Sequence, residues 1–138
     1  MSDPRQDFEL HLDGETWVIR FTNSALAHAE KLSGMTFQQL FVATVGKQLG
    51  FHTLACLTTA GLEGARRKLR LGGKPWTVDK VTDLLDGADT FDDVALPVID
   101  AFQAALRRWF PPEEGDAEDP PTAAGTGTTS SEPPSAQG

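Results

Sequence analysis

Two side chains that can ligate a metal, those of His52 and Cys56, lie four residues apart in a segment whose apolar pattern predicts a helix. Residues at this spacing share one helix face, so the pair supplies two ligands. A zinc site requires three or four protein ligands or an open catalytic position. We therefore expect a buried cysteine and a partly exposed histidine, with no bound metal or cofactor.

The other histidines offer no catalytic arrangement. His11 lies on the polar face of a predicted hairpin, and His28 lies on a short predicted helix. Neither has an acidic partner at the spacing of a catalytic triad, and a nucleophilic site needs serine or cysteine beside such a base. The sequence therefore predicts a protein that is not an enzyme.

Six aspartates between residues 83 and 100 resemble a carboxylate cluster. Most of them fall at predicted helix ends, where a carboxylate caps backbone N–H groups. The segment from Asp86 lacks the glutamate that closes a calcium-binding loop. Gly72-Gly73-Lys74-Pro75 lacks the preceding strand and the glycine spacing of a phosphate-binding loop. Helix capping and a turn are the expected roles.

Positive charge is concentrated in Arg66, Arg67, Lys68 and Arg70. Basic clusters bind phosphates, so a small nucleic-acid-binding regulator that uses the basic end of a helix over residues 51–70 is one alternative function. We favour a solvated helix end beside an acidic neighbour, because the body of the chain is net negative and shows no second basic face. These side chains could still contact an acidic partner surface, such as the C-terminal tail of a second copy.

The elements that hold these residues begin with a hairpin. Asp13-Gly14 is a turn-forming pair between two runs of alternating apolar residues, and the two-residue turn sets the register of both strands. The pairs across the apolar face are Phe8 with Ile19 and Leu10 with Trp17. A two-stranded hairpin is only marginally stable alone, so this face must cover helices or another chain.

About five helices follow the hairpin, over residues 25–33, 37–45, 51–70, 78–85 and 91–110. Thr22, Asn23 and Ser24 offer capping oxygens before the first helix, and Thr36, Thr77 and Thr90 precede the second, fourth and fifth. Glycines or prolines end the helices. We expect the helix that begins at Ala25 to be the nearest cover of the hairpin. In the second helix, Phe37, Leu40, Phe41 and Val45 form one apolar stripe. Pro97 either kinks the last helix or splits it, so that its main piece begins near Leu96.

The chain has 138 residues and a net charge of −8. Residues 111–138 contain no large hydrophobic residue and no basic residue, and they carry six acidic side chains. Such a segment cannot bury enough surface to offset the entropy of ordering it. We therefore expect an α+β domain over residues 1–110, a β-hairpin packed on a small helical bundle, and a disordered acidic tail over residues 111–138.

The single cysteine excludes an intrachain disulfide and gives no sign of an oxidising compartment. No apolar run approaches the roughly 18 residues of a membrane span, and the N-terminal segment lacks the pattern of a signal peptide. A cytoplasmic location is expected.

The order of these parts resembles a known family. The pattern L-x-L-D-G-x-x-x-x-I-R-F-T-x-x-A-L-x-x-x-E-K-L-S-G, from Leu10 to Gly34, resembles the opening of the tail assembly chaperones of long-tailed phages (bacteriophages) and of the related gene transfer agents. The family's short helix is marked by positions that Ala25, Leu26, Glu30 and Gly34 fill here. Ala60-Gly61-Leu62 is similar to the A-G-L of its central helix, and the segment from Trp76 to Leu85 resembles the next helix. The likeness covers about residues 8–110.

This resemblance implies a non-enzymatic assembly chaperone in the host cytoplasm. Several copies of such a protein cover the long tape-measure protein, keep it soluble, and are displaced as tail tube subunits polymerise around it. The implied partners are the tape-measure protein, the tail tube protein and further copies of the chain, with no nucleic acid and no membrane. The chaperone is absent from the mature particle. The residues that we expect to contact the client or another copy are Phe8, Leu10, Trp17, Ile19, Phe37, Phe41 and Trp109.

Three alternatives remain beside this hypothesis. The first is the nucleic-acid-binding regulator described above. The second is a small metal-dependent enzyme that uses His52, Cys56 and aspartates. The third is a structural tail component that stays in the finished particle.

Overall fold

The computed structural model describes residues 8–46 and 48–111. In this part of the chain a two-stranded antiparallel hairpin is followed by five α-helices, which confirms the predicted α+β fold. The elements are β1 (Phe8–Leu12), β2 (Glu15–Ile19), α1 (Asn23–Ser33), α2 (Phe37–Val45), α3 (Phe51–Lys68), α4 (Val78–Leu84), a 3-10 turn (Leu85–Gly87) and α5 (Phe91–Trp109). The tail predicted over residues 111–138 lies outside the described residues, apart from Pro111.

The hairpin has the predicted register. Phe8 pairs with Ile19 and Leu10 with Trp17 across the two strands. Asp13 and Gly14 both have positive φ, 57° and 80°, as the tightest two-residue hairpin turn requires. The local sequence therefore sets which side chains share each face of the hairpin.

Short-range capping by threonine starts α1, α2, α4 and α5, with α1 beginning at Asn23, two residues before the predicted start. The Thr22 hydroxyl accepts the N–H of Ala25 at the start of α1. Thr36 with Gln39 and Thr90 with Asp93 form reciprocal capping boxes at the starts of α2 and α5. Each of these bonds spans three residues, so the sequence predicts them without knowledge of the tertiary structure.

Pro97 lies within α5, which runs as one helix from Phe91 to Trp109. The alternative in which Pro97 splits this helix near Leu96 is therefore wrong. Proline removes one backbone hydrogen bond from a helix interior. Val94, Val98 and Phe102 are buried on the face that packs into the core, and this packing holds the helix together across the proline.

The centre of the fold is α3, in which every residue from Leu54 to Ala65 is buried. A helix that is surrounded on all sides in this way is a core element. β2 packs on α3, β1 packs on α5, and α1 packs on the flank of α3. The prediction that α1 is the nearest cover of the hairpin is therefore wrong, because α3 and α5 carry out that role.

Two glycines allow β2 and α1 to approach α3. The carbonyl of Gly61 accepts the N–H of Arg20 at 3.0 Å. A Cβ atom on Gly61 would collide with Ile19, and one on Gly64 would collide with the carbonyl oxygen of Arg20 and lie 2.9 Å from the Cβ of Ala25. The absence of side chains at these two positions therefore determines how closely the hairpin and α1 sit on the core.

We predict that Gly64→Ala lowers the free energy of unfolding. In an exposed helix interior the same change stabilises by about 1 kcal/mol, but here the added methyl group must displace backbone, which we expect to cost about 1–3 kcal/mol net. Chemical denaturation measures the difference. Gly50→Ala is the control for a methyl group added in open space, because nothing lies within 4 Å of its Cβ position and its φ is negative. Gly50 is the N-cap of α3, where alanine is less favourable than glycine, so the loss at Gly64 must exceed the loss of about 1 kcal/mol or less expected at Gly50. A Gly64→Ala variant more stable than the parent would contradict the packing.

Candidate functional site

An apolar groove of about 620 Å³ lies between α2 and the C-terminal end of α5. Its apolar lining residues are Phe37, Phe41, Val42, Leu106 and Phe110, and its polar lining residues are Gln38, Gln103 and Arg107. We call this site the apolar groove. Val42 is 64% exposed and Phe110 is 60% exposed, so large apolar side chains face solvent here. Contiguous exposed apolar surface rimmed by polar groups is typical of a protein-binding site.

Two sets of contacts fix the walls of the apolar groove. The rings of Phe37 and Phe110 stack with centroids 5.2 Å apart and an interplanar angle of 12°. The side-chain amide of Gln103 in α5 donates to the hydroxyl of Thr44 in α2, at 3.3 Å. These contacts hold α2 beside α5 and leave the groove open between them.

The end of α5 is also attached to the start of α1. The indole N–H of Trp109 donates to the side-chain oxygen of Asn23 at 2.9 Å, and Nη2 of Arg108 donates to the carbonyl of Phe21 at 2.9 Å. A shallower depression lined by Leu26, Phe37, Trp109 and Phe110 adjoins this contact. Trp109 therefore lies beside the apolar groove, with 58% of its surface exposed.

The structure brings together three of the seven predicted contact residues. Phe37 and Phe41 line the apolar groove, and Trp109 borders it. The four hairpin residues do not line it. Leu10 and Ile19 are fully buried core residues, and Phe8 and Trp17 are partly buried against that core. Because a buried side chain cannot contact a partner in the folded chain, Leu10 and Ile19 are removed from the predicted contact surface.

Sequence reasoning missed Val42 and Phe110. The apolar stripe predicted on α2 is only partly covered, since Leu40 is buried and Phe37 is partly buried, while Phe41 and Val45 are exposed. The sequence contained a signal for the exposure of Phe41 and Val42. Adjacent residues of a helix point about 100° apart, so Phe41 and Val42 cannot both face a core that already takes Leu40.

A second notable group surrounds Glu63, whose side chain is only 3% exposed within α3. Its two carboxylate oxygens accept four hydrogen bonds, from Nε and Nη2 of Arg66, from Nε of Arg67 and from the backbone N–H of Trp76, at 2.7–3.0 Å. The hydrogen bonds from Arg66, helped by those from Trp76 and Arg67, outweigh burial and lower the pKa of Glu63 to about 2. Glu63 is therefore ionised at neutral pH, and both of its carboxylate oxygens accept hydrogen bonds.

This group changes the interpretation of the basic run. Arg66 and Arg67 share the charge of Glu63, as the predicted acidic neighbour requires. Nη1 of Arg66 also donates to the carbonyl of Gly73, so its guanidinium holds the loop after α3. Lys68 and Arg70 are exposed. Two of the four cations thus have structural roles, which weakens the electrostatic basis for a nucleic-acid contact at this helix end.

The pair with metal-ligand spacing lies together as predicted, with Sγ of Cys56 3.4 Å from Nε2 of His52. Cys56 is buried, and burial raises the pKa of its thiol. Within residues 8–46 and 48–111 no group of three or more metal-ligating side chains occurs. His11 bonds to Thr16 on the hairpin surface, and Asp93 caps α5. The described residues therefore bring no third ligand to the pair.

Comparison with protein-family models, with curated proteins and with solved structures found no significant match for this chain. Among the described helices, none combines the length and apolar character that crossing a membrane requires.

We predict that Glu63→Gln lowers the free energy of unfolding at pH 7 by about 3 kcal/mol, because the pKa of Glu63 falls from 4.5 to about 2 on folding. A lowered pKa in the folded state stabilises it fully above about pH 4.5, and this contribution is lost as the pH falls through about 2. Urea titrations from pH 7 to pH 2 measure it.

The stability difference between the parent and Glu63→Gln should therefore shrink toward pH 2. Glu15→Gln is the matched control, since Glu15 is exposed in the hairpin and its substitution should change stability little. A stability difference between the parent and Glu63→Gln that stays constant with pH would contradict the pairing of the ionised Glu63 carboxylate with the two arginines.

Proposed function

We propose that this chain is a non-enzymatic tail assembly chaperone of the long-tailed phage and gene transfer agent type, which binds and solubilises a tape-measure protein. The resemblance of residues 10–34 to that family supports the assignment of the client. The apolar groove supports the binding mode, and it is the observation on which the proposal chiefly rests.

The apolar groove suits one helix of an amphipathic client. Helix-in-groove binding uses a row of apolar side chains at spacings of three and four residues, which enter a hydrophobic cleft between two helices. Phe41 and Val42 on α2 line such a cleft together with Leu106 on α5 and Phe110, the residue after α5. Gln38, Gln103 and Arg107 supply the polar rim that would orient the bound helix.

Exposed apolar side chains in and beside the apolar groove lower the solubility of the free protein. Large apolar side chains in water favour association, so a chain that keeps Val42, Trp109 and Phe110 exposed gains from covering them. Under this proposal the cover is a client helix until tail tube subunits displace the chaperone. Several copies bind along one client, and none remains in the finished particle.

The prediction is that co-expression with the tape-measure protein of the same genome keeps that protein soluble. The double variant Phe41→Gln/Val42→Gln should reduce the soluble client several-fold, because both side chains line the groove and their loss removes apolar area from the contact. Both residues are exposed, so the variant is expected to fold. Soluble client is measured by quantitative immunoblot after centrifugation.

Leu96→Gln is the matched control, because Leu96 is an equally exposed apolar residue of α5 that does not line the apolar groove. A client that is equally soluble without this chain would refute the chaperone function. A client that is protected as well by the double variant as by the parent would refute the groove as the binding site. Detection of the chain in purified particles would favour the structural tail component instead.

A further inference from the structure

A second cavity, of about 460 Å³, lies where β2 leads into α1, beside the C-terminal end of α3 and Arg108 of α5. It shares no lining residue with the apolar groove. We call it the basic pocket, because Arg67, Lys68 and Arg108 all line it, together with the buried Arg20. The start of α1, from Thr22 to Ala25, forms another wall.

Among the described residues that line the basic pocket, cationic side chains outnumber carboxylates. Glu63 is the one carboxylate among these lining residues, and it pairs both with Arg66, which lies outside the pocket, and with Arg67, so this single negative charge is shared by two arginines. Lys68 and Arg108 lie beside it as further cations. The bond that Arg108 donates to the carbonyl of Phe21 goes to a neutral group, so it leaves the guanidinium charge uncompensated. The first turn of α1 contains no acidic residue, so its helix dipole adds to the positive potential.

The same chain carries acidic residues shortly after the end of α5, which contacts the wall of the basic pocket. α5 ends at Trp109, whose indole contacts Asn23 in the wall of the basic pocket. Five acidic residues then follow within ten positions: Glu113, Glu114, Asp116, Glu118 and Asp119. An extended chain spans up to about 3.5 Å per residue, so Glu113 can lie within roughly 14 Å of Trp109. No basic residue occurs between Pro111 and the last residue of the chain.

We propose that the acidic segment 113–119 docks into the basic pocket of its own chain. The attraction is ionic, so it needs none of the apolar side chains that this segment lacks. The short connection to α5 keeps the segment at a millimolar effective concentration, which favours docking within one chain over pairing between copies. The expectation of disorder over the whole of residues 111–138 is then revised for 113–119.

A spin label on Ala117→Cys tests this in the full chain. Cys56 is fully buried, so the label reacts with the introduced cysteine. We expect the label to broaden the amide resonances of Ser24, His28 and Lys68, which line the pocket. The broadening should be lost as salt rises, since the Debye length falls from about 10 Å at 0.1 M to about 3 Å at 1 M ionic strength. The label on Ala136→Cys, beyond the acidic segment, should broaden these resonances far less.

Charge variants provide a second test of the docking proposal. Neutralising the segment with E113Q/E114Q/D116N/E118Q/D119N should abolish the broadening, and Lys68→Glu should reduce it. Lys74→Glu is the matched control, because Lys74 is an exposed lysine outside the basic pocket. Broadening that persists in the neutralised variant, or none at the pocket residues of the parent, would overturn the proposal. So would broadening that appears only when labelled unenriched protein is mixed with unlabelled isotope-enriched protein, which would assign the pocket to the tail of a second copy.

Discussion

The contact between the end of β2 and the glycine edge of α3 constrains the rest of the structure. The N–H of Arg20 bonds to the carbonyl of Gly61, and the carbonyl of Arg20 lies where a side chain at position 64 would stand. The hairpin therefore cannot shift along α3 without a collision. Its buried residues Leu10 and Ile19 are held over α3 and α5, and the start of α1 is fixed at the same place.

Between those two glycines, Glu63 brings a carboxylate into the most buried helix of the fold. Removing one partner from a buried ionic group costs more than the intact pair contributes, so Arg66, Arg67 and the N–H of Trp76 are mutually dependent. The group joins α3 to the loop before α4. It also divides the basic run, because Arg66 and Arg67 pair with Glu63 whereas Lys68 and Arg70 are exposed. One residue of each kind, Arg67 and Lys68, lines the basic pocket.

The apolar groove and the hairpin have different roles. The hairpin buries its apolar face against two helices, as a marginally stable two-stranded sheet must. The short helix α2 begins with a capping box but buries few side chains, so its remaining apolar residues form the exposed wall of the groove with the end of α5. The surface proposed for the client is thus built from helices, and the contribution of the hairpin is to support the core beneath them.

The sequence by itself determined the hairpin register, the five helices and the threonine caps of four of them, because each depends on the two-residue turn or on contacts between residues a few positions apart. It also indicated an acidic neighbour for the basic run. Only the tertiary structure decided that α3 covers the hairpin, that Glu63 reaches Trp76, and that Phe41 and Val42 face solvent while Leu40 is buried. These outcomes depend on which helices lie side by side. A periodic apolar pattern shows that a face will be buried, but exposure is decided by whether another element is present to cover it.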